Sequence, residues 1–81
     1  MKNTNDDTII IYQEGKKIEF IQIAGVVHNR NYYVILQQKE SKKNFVYKAT
    51  LDENGNENFT LENDGVTVKY VIDFYNAFLN K

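Results

Sequence analysis

Residues 64–81, DGVTVKYVIDFYNAFLNK, constrain this chain most, because everything before them reads as short β segments that need a partner to cover one face. Val68, Val71, Ile72, Tyr75, Phe78 and Leu79 recur at the i, i+3, i+4, i+7 spacing that lines one side of a helix. The spacing predicts a C-terminal helix packed on a sheet. Its first half carries a competing pattern. Val66, Val68, Tyr70 and Ile72 alternate with Thr67, Lys69 and Val71 as in a half-buried strand, and Asn63-Asp64-Gly65 would then be a hairpin turn. Beyond Ile72 the alternation ends while the helical spacing continues. Asn63 or Asp64 can act as N-cap, and Lys81 sits at the end favoured by the helix dipole. Neither Val66 nor Thr67 supplies the Glu or Gln of a capping box, so residues 65–72 fit helix and strand alike.

Upstream, the chain is punctuated at hairpin intervals. A β-branched run at 8–12 ends at Gln13-Glu14-Gly15, where glycine suits the positive φ of a tight turn. Residues 17–28 are long for one strand, and their alternation slips: Ile18 and Phe20 share one parity, Ile21 and Ile23 the other. A one-residue phase change is what a β-bulge produces, and Gly25 permits a bend beyond it. Asn29-Arg30-Asn31 forms a polar turn before a strand at 32–38. A charged loop at 39–43 precedes a strand at 44–51, whose Phe45, Tyr47, Ala49 and Leu51 are expected to face the core. Asn54-Gly55 marks another hairpin, and a strand at 57–62 offers Phe59 and Leu61 to the same core. The predicted fold is α+β, a curved antiparallel meander of about five strands whose curved face is filled by one C-terminal helix. In that arrangement Phe78 is a core residue, and its loss is expected to cost about 3–5 kcal/mol.

At 81 residues the chain makes one domain over 7–81, preceded by a polar, aperiodic stretch at 1–6 expected to be a flexible tail. A formal net charge of −1, with Lys and Glu scattered, is no electrostatic footprint for nucleic acid or an anionic membrane. No apolar run reaches the length of a bilayer span and no signal-peptide pattern opens the chain, so a cytoplasmic location is expected. Without cysteine there are no disulfides, thiolate nucleophiles or usual zinc sites. Abundant Asn, Lys, Ile and Tyr match what AT-rich coding produces and carry no functional signal.

Motifs for chemistry are sparse. His28, the one histidine, has no local nucleophile or orienting acid and reads as an exposed side chain flanking a turn. Residues 52–57, DENGNE, fail as a calcium loop: the glycine falls at the fourth position, not the sixth, and Asn63 replaces the bidentate Glu at the twelfth. The four glycines are isolated and belong to no phosphate-binding fingerprint. No catalytic, metal-binding or cofactor-binding residue is assigned.

One constellation pairs Tyr32, Tyr33, Phe45 and Tyr47 with Lys39, Lys42, Lys43 and Lys48. An exposed aromatic sheet face with a basic rim can stack single-stranded bases. Parity turns Phe45 and Tyr47 inward, however, and a basic excess is lacking, so a nucleic-acid accessory role is only the alternative. The leading expectation is a non-enzymatic interaction or regulatory module, either self-associating or bound to another protein. Tyr70 and Phe74, off the main helical stripe, are its candidate contact residues.

Phe45-Val46-Tyr47-Lys48, the preceding Tyr32-Tyr33-Val34-Ile35-Leu36 and the Phe74-Tyr75-Asn76-Ala77-Phe78-Leu79 ending carry a family likeness. With Ile18-Glu19-Phe20 and the Asp52 to Gly55 turn, they make the chain resemble, over about 7–80, the small bacterial domain-of-unknown-function family numbered 1292. It departs where Gln37 stands for a common proline, and where 66–68 replaces an acidic, tryptophan-containing helix start. The resemblance implies a cytoplasmic protein of low-GC Gram-positive bacteria without assigned activity, its relatives often encoded near a Holliday-junction resolvase-like gene. It implies no functional residues.

Overall fold

The computed structural model describes residues 8–80; the tail expected at 1–6 and the terminal Lys81 lie outside them. Five strands, β1 (Thr8–Gln13), β2 (Lys16–His28), β3 (Asn31–Gln38), β4 (Asn44–Leu51) and β5 (Glu57–Leu61), precede one helix, α1 (Gly65–Leu79). The strands form one antiparallel sheet in the order β1-β2-β3-β4-β5. The predicted α+β meander with a closing helix is the observed fold.

Local chemistry explains the connections. Glu14 and Gly15 turn β1 into β2 with φ of 52° and 78°, and Asn29 and Arg30 turn β2 into β3 with φ of 52° and 67°. Two successive left-handed residues match the twist of the flanking strands. Between β4 and β5 the Asp52 carboxylate Oδ1 accepts from the backbone N–H groups of Asn54 and Asn56, both at 2.9 Å, and Gly55 takes φ of 84°. These bonds hold the Asp52 carboxyl below its ordinary range, the Asn56 backbone bond contributing most.

The register of β2 against β3 shifts between Gln22 and Ala24, the bulge that the slipped alternation predicts. It turns Ile23 and Ala24 to the same side, together with Val26. Beyond it Gly25 passes under the Tyr32 ring, where a Cβ would come within 2.3 Å of the phenol oxygen.

Two apolar clusters lie on opposite faces of the sheet. One holds Phe20, Val34, Leu36, Tyr47 and Ala49, packed with Ile9, Ile11, Ile18, Phe45 and Phe59. The other holds Val26, Tyr33, Ile35, Val46 and Val71, packed with Ile23, Ala24, Val68, Ile72 and Tyr75. The first draws side chains from all five strands, which requires the sheet to curl toward that face. In a flat sheet β1 and β4 stand about 14 Å apart, yet Gln13 Nε2 donates to Tyr47 Oη at 3.0 Å. The sheet is thus nearly closed around its own side chains.

This corrects one expectation. Phe45, Tyr47 and Ala49 do face a core, but the core inside the curl; α1 covers the opposite, outer face through Val68, Val71, Ile72 and Tyr75. Leu51, expected inward with them, is 72% exposed, and Leu61 is exposed as well. Phe78 and Leu79, expected on the buried stripe, stay outside the cluster beneath α1, with Phe78 64% exposed. The ambiguous residues 65–72 are helical. Asp64 caps them: its Oδ2 accepts from Thr67 N–H at 3.2 Å and Thr67 Oγ1 at 2.7 Å.

Candidate interaction surface

The helix presents two faces with different fates. Val71 is fully buried against the sheet, flanked by Val68, Ile72 and Tyr75. Val66, Tyr70, Phe74 and Phe78, each four residues after the last, form a second apolar row that stays in water. A surface helix ordinarily carries polar groups there. Here the polar groups sit elsewhere, among them Lys69 and Asp73, an exposed i,i+4 ion pair at 2.6 Å.

The structure places both expected contact residues in this row: Tyr70 is 42% exposed and Phe74 52%. Their ring centroids lie 6.4 Å apart, with the planes tilted by 30°. His28, expected as a plain turn-flanking side chain, instead stacks on Tyr70 with ring centroids 4.0 Å apart. The β2 end thereby braces the row. Asn29 Nδ2 lies 3.3 Å from His28 Nε2.

Further along, the row borders a groove of about 290 Å³ lined by Ile23, Ala24, Gly25, Val26, Phe74, Tyr75 and Phe78. Sequence reasoning missed Val66, Phe78 and this β2 wall. The i,i+4 spacing of 66, 70, 74 and 78 was the available signal, but it could be weighed only once the buried stripe was known.

The aromatic and basic constellation is dispersed by the fold. Tyr33 is buried on the helix side, Tyr47 is buried inside the curl with Phe45 half-buried beside it, and only Tyr32 is exposed. These four rings build no common stacking platform. The Tyr32 phenol instead lies over Gly25 and accepts from Gln22 Nε2 at 3.3 Å.

Other polar groups are explained by local structure. Burial raises the Tyr47 phenol above its ordinary value, and the Gln13 bond offsets part of that rise. The Thr67 side-chain bond, followed by its backbone bond, lowers the Asp64 carboxyl. Among the described residues, no three His, Cys, Asp or Glu side chains are grouped to hold a metal ion, and no helix is long and apolar enough to cross a membrane. Compared with protein-family models, curated proteins and solved structures, the chain matches none of them.

Proposed function

We propose that this protein is a small non-enzymatic module acting through contacts with protein, and that the exposed flank of α1 is its contact surface. The observation that carries this reading is the row Val66, Tyr70, Phe74 and Phe78, apolar along the helix and left in water. Its three rings alone expose roughly 300 Å² of side-chain surface. With Val66 and Leu79 added, the patch reaches the size that on a single domain marks a binding surface. Tyr and Phe are both enriched in the cores of protein interfaces, and Tyr is among the residues that carry most binding energy there.

A regulatory role in the bacterial cytoplasm and kinship with the family numbered 1292 belong to the same proposal. The support for that kinship is the order of its quoted segments along the chain. The test is capture from native extract with immobilised wild type, Phe74→Asp and Tyr70→Asp. Proteins retained by wild type and lost from both variants are expected; equal retention by all three refutes the reading.

A further inference from the structure

We propose that Asn54 is a self-modifying site: in the folded protein the backbone nitrogen of Gly55 converts its side-chain amide to a carboxyl, at a rate set by the grip of Asp52 on the turn. The inference is independent of the contact-surface reading. It rests on the one Asn-Gly pair in the chain, on the space around that pair and on the bonds that restrain it.

The chemistry is intramolecular. Loss of the Gly55 N–H proton to hydroxide lets the nitrogen attack Asn54 Cγ and close a five-membered ring. The new nitrogen–Cγ bond forms, the Cγ–Nδ2 bond breaks, and the side-chain nitrogen leaves with a proton as ammonia. Water then adds to one of the two carbonyl carbons of this succinimide and breaks that carbon's bond to the ring nitrogen. Opening at Cγ gives aspartate. Opening at the main-chain carbon gives isoaspartate, whose backbone carries one extra methylene. One water is consumed and one ammonia released. A side chain on the attacking residue hinders ring closure, and glycine has none. Asn29 and Asn31 also lie at a turn, but they precede Arg30 and Tyr32.

The fold leaves the pair accessible and restrains only the nucleophile. Residues 52–58 are all exposed, and a Cβ placed on Gly55 would meet nothing within 4 Å, so the ring has room to close and water has access. Among the described residues, no hydrogen bond holds the Asn54 side-chain amide. The Gly55 N–H, by contrast, donates to the Asp52 carbonyl at 3.0 Å, and Asp52 Oδ1 accepts from the N–H groups of Asn54 and Asn56. Attack requires these bonds to open. The turn leads into β5, five residues long and paired only with β4 among the described strands, where local opening is least costly.

Asp64-Gly65 supplies the contrast, because an aspartate followed by glycine can close the same ring. There the carboxylate itself is held, by Thr67 N–H and Thr67 Oγ1, and a carboxylate kept ionised resists nucleophilic attack. Conversion at Asn54 has a structural consequence. It adds a negative charge between Glu53 and Glu57, and isoaspartate lengthens the link by one backbone atom. The bonds to Asp52 are then lost, and β5, which brings Phe59 to the inner cluster, is loosened.

Ageing of the full chain at mildly alkaline pH tests this, read by isoelectric focusing, hydroxylamine cleavage between residues 54 and 55, and peptide mapping. The expected product is one unit more negative than the formal charge of −1, is altered at Asn54 and contains isoaspartate. Asn54→Gln, which would have to close a larger ring, is expected to stay intact. Asp52→Ala releases the turn and is expected to raise the rate about fivefold. Asp64→Ala weakens the fold elsewhere and is expected to leave the rate unchanged. A folded wild type that stays intact while the same chain in urea converts overturns the proposal, as does conversion at other asparagines with Asn54 unchanged. Equal rates in wild type and Asp52→Ala, or equal acceleration by Asp52→Ala and Asp64→Ala, overturn the control by Asp52.

Discussion

Replacing Val71 by alanine is expected to destabilise the fold more than replacing the much larger Phe78. Val71 has no exposed surface and sits among Val26, Tyr33, Ile35 and Val46 beneath the helix. Two carbon groups removed from full burial cost about 1.6 kcal/mol in transfer free energy. A residual void of roughly 50 Å³ adds about 1 kcal/mol at the per-volume cost of cavities in a rigid core. The sum, about 2–3 kcal/mol, is a large part of the roughly 4–12 kcal/mol available to a domain of this length. Phe78 keeps 64% of its surface in water. Its truncation forfeits only about a third of the burial of a core ring, and alanine's higher helix propensity returns a few tenths, leaving less than about 1 kcal/mol. The assay is urea unfolding followed by circular dichroism, at a concentration where each variant sediments as a monomer. With a slope of about 1–1.5 kcal/mol per molar, Val71→Ala is expected to lower the midpoint by about 1.5–2.5 M and Phe78→Ala by well under 1 M. A Phe78→Ala shift equal to or above that of Val71→Ala would refute the assignment of the two helix faces.

Gly25→Ala is expected to push the Tyr32 ring off the strand, because the new Cβ collides with the phenol; its destabilisation, up to about 1 kcal/mol, should vanish in a Tyr32→Ala background, and additivity in a double-mutant cycle would count against the contact. Asp64 has its carboxyl lowered in the fold, so its charge contributes stability above the unfolded value of 3.8 and loses it as pH falls through the lower folded value. Asp64→Asn keeps the cap acceptor and should flatten the fall in thermal midpoint in acid, whereas Asp64→Ala should lower the midpoint at neutral pH; an unaltered acid limb in Asp64→Asn contradicts the capping role. The Tyr47 phenol is raised by burial, so its contribution is intact below the ordinary 10.0 and is lost as pH rises through the folded value. Alkaline unfolding with a delayed phenolate absorbance step is expected, and Tyr47→Phe should blunt it; an identical alkaline profile in the variant places Tyr47 outside the core.

Much of this architecture is written in local chemistry. Turn residues at 14–15, 29–30 and 55 supply left-handed backbone between strands, and hairpin-length links leave an antiparallel meander as the simple solution. The parity slip near Gln22 announces the bulge because the two-residue side-chain period cannot change phase otherwise. The prominence of Tyr70 and Phe74 was legible too, since neither fits the buried helical stripe.

What tertiary structure alone decided is which apolar surface meets which. Tyr33, Val34, Ile35 and Leu36 are all buried, so both faces of β3 are core and alternation cannot say which one the helix covers. The curl of the sheet decides it, by filling its inside with Phe20, Leu36 and Tyr47 and leaving Val26, Ile35 and Val46 for α1. Residues 65–72 have strand-like composition, and the Asp64 cap and the seating of Val68, Val71 and Ile72 make them helical, since packing outweighs propensities of well under 1 kcal/mol per residue. Packing also sets where burial stops. Phe78 and Leu79 repeat the period of Val71 and Tyr75, but neither joins the cluster beneath α1, and Phe78 only borders a groove with β2, so predicted core becomes surface.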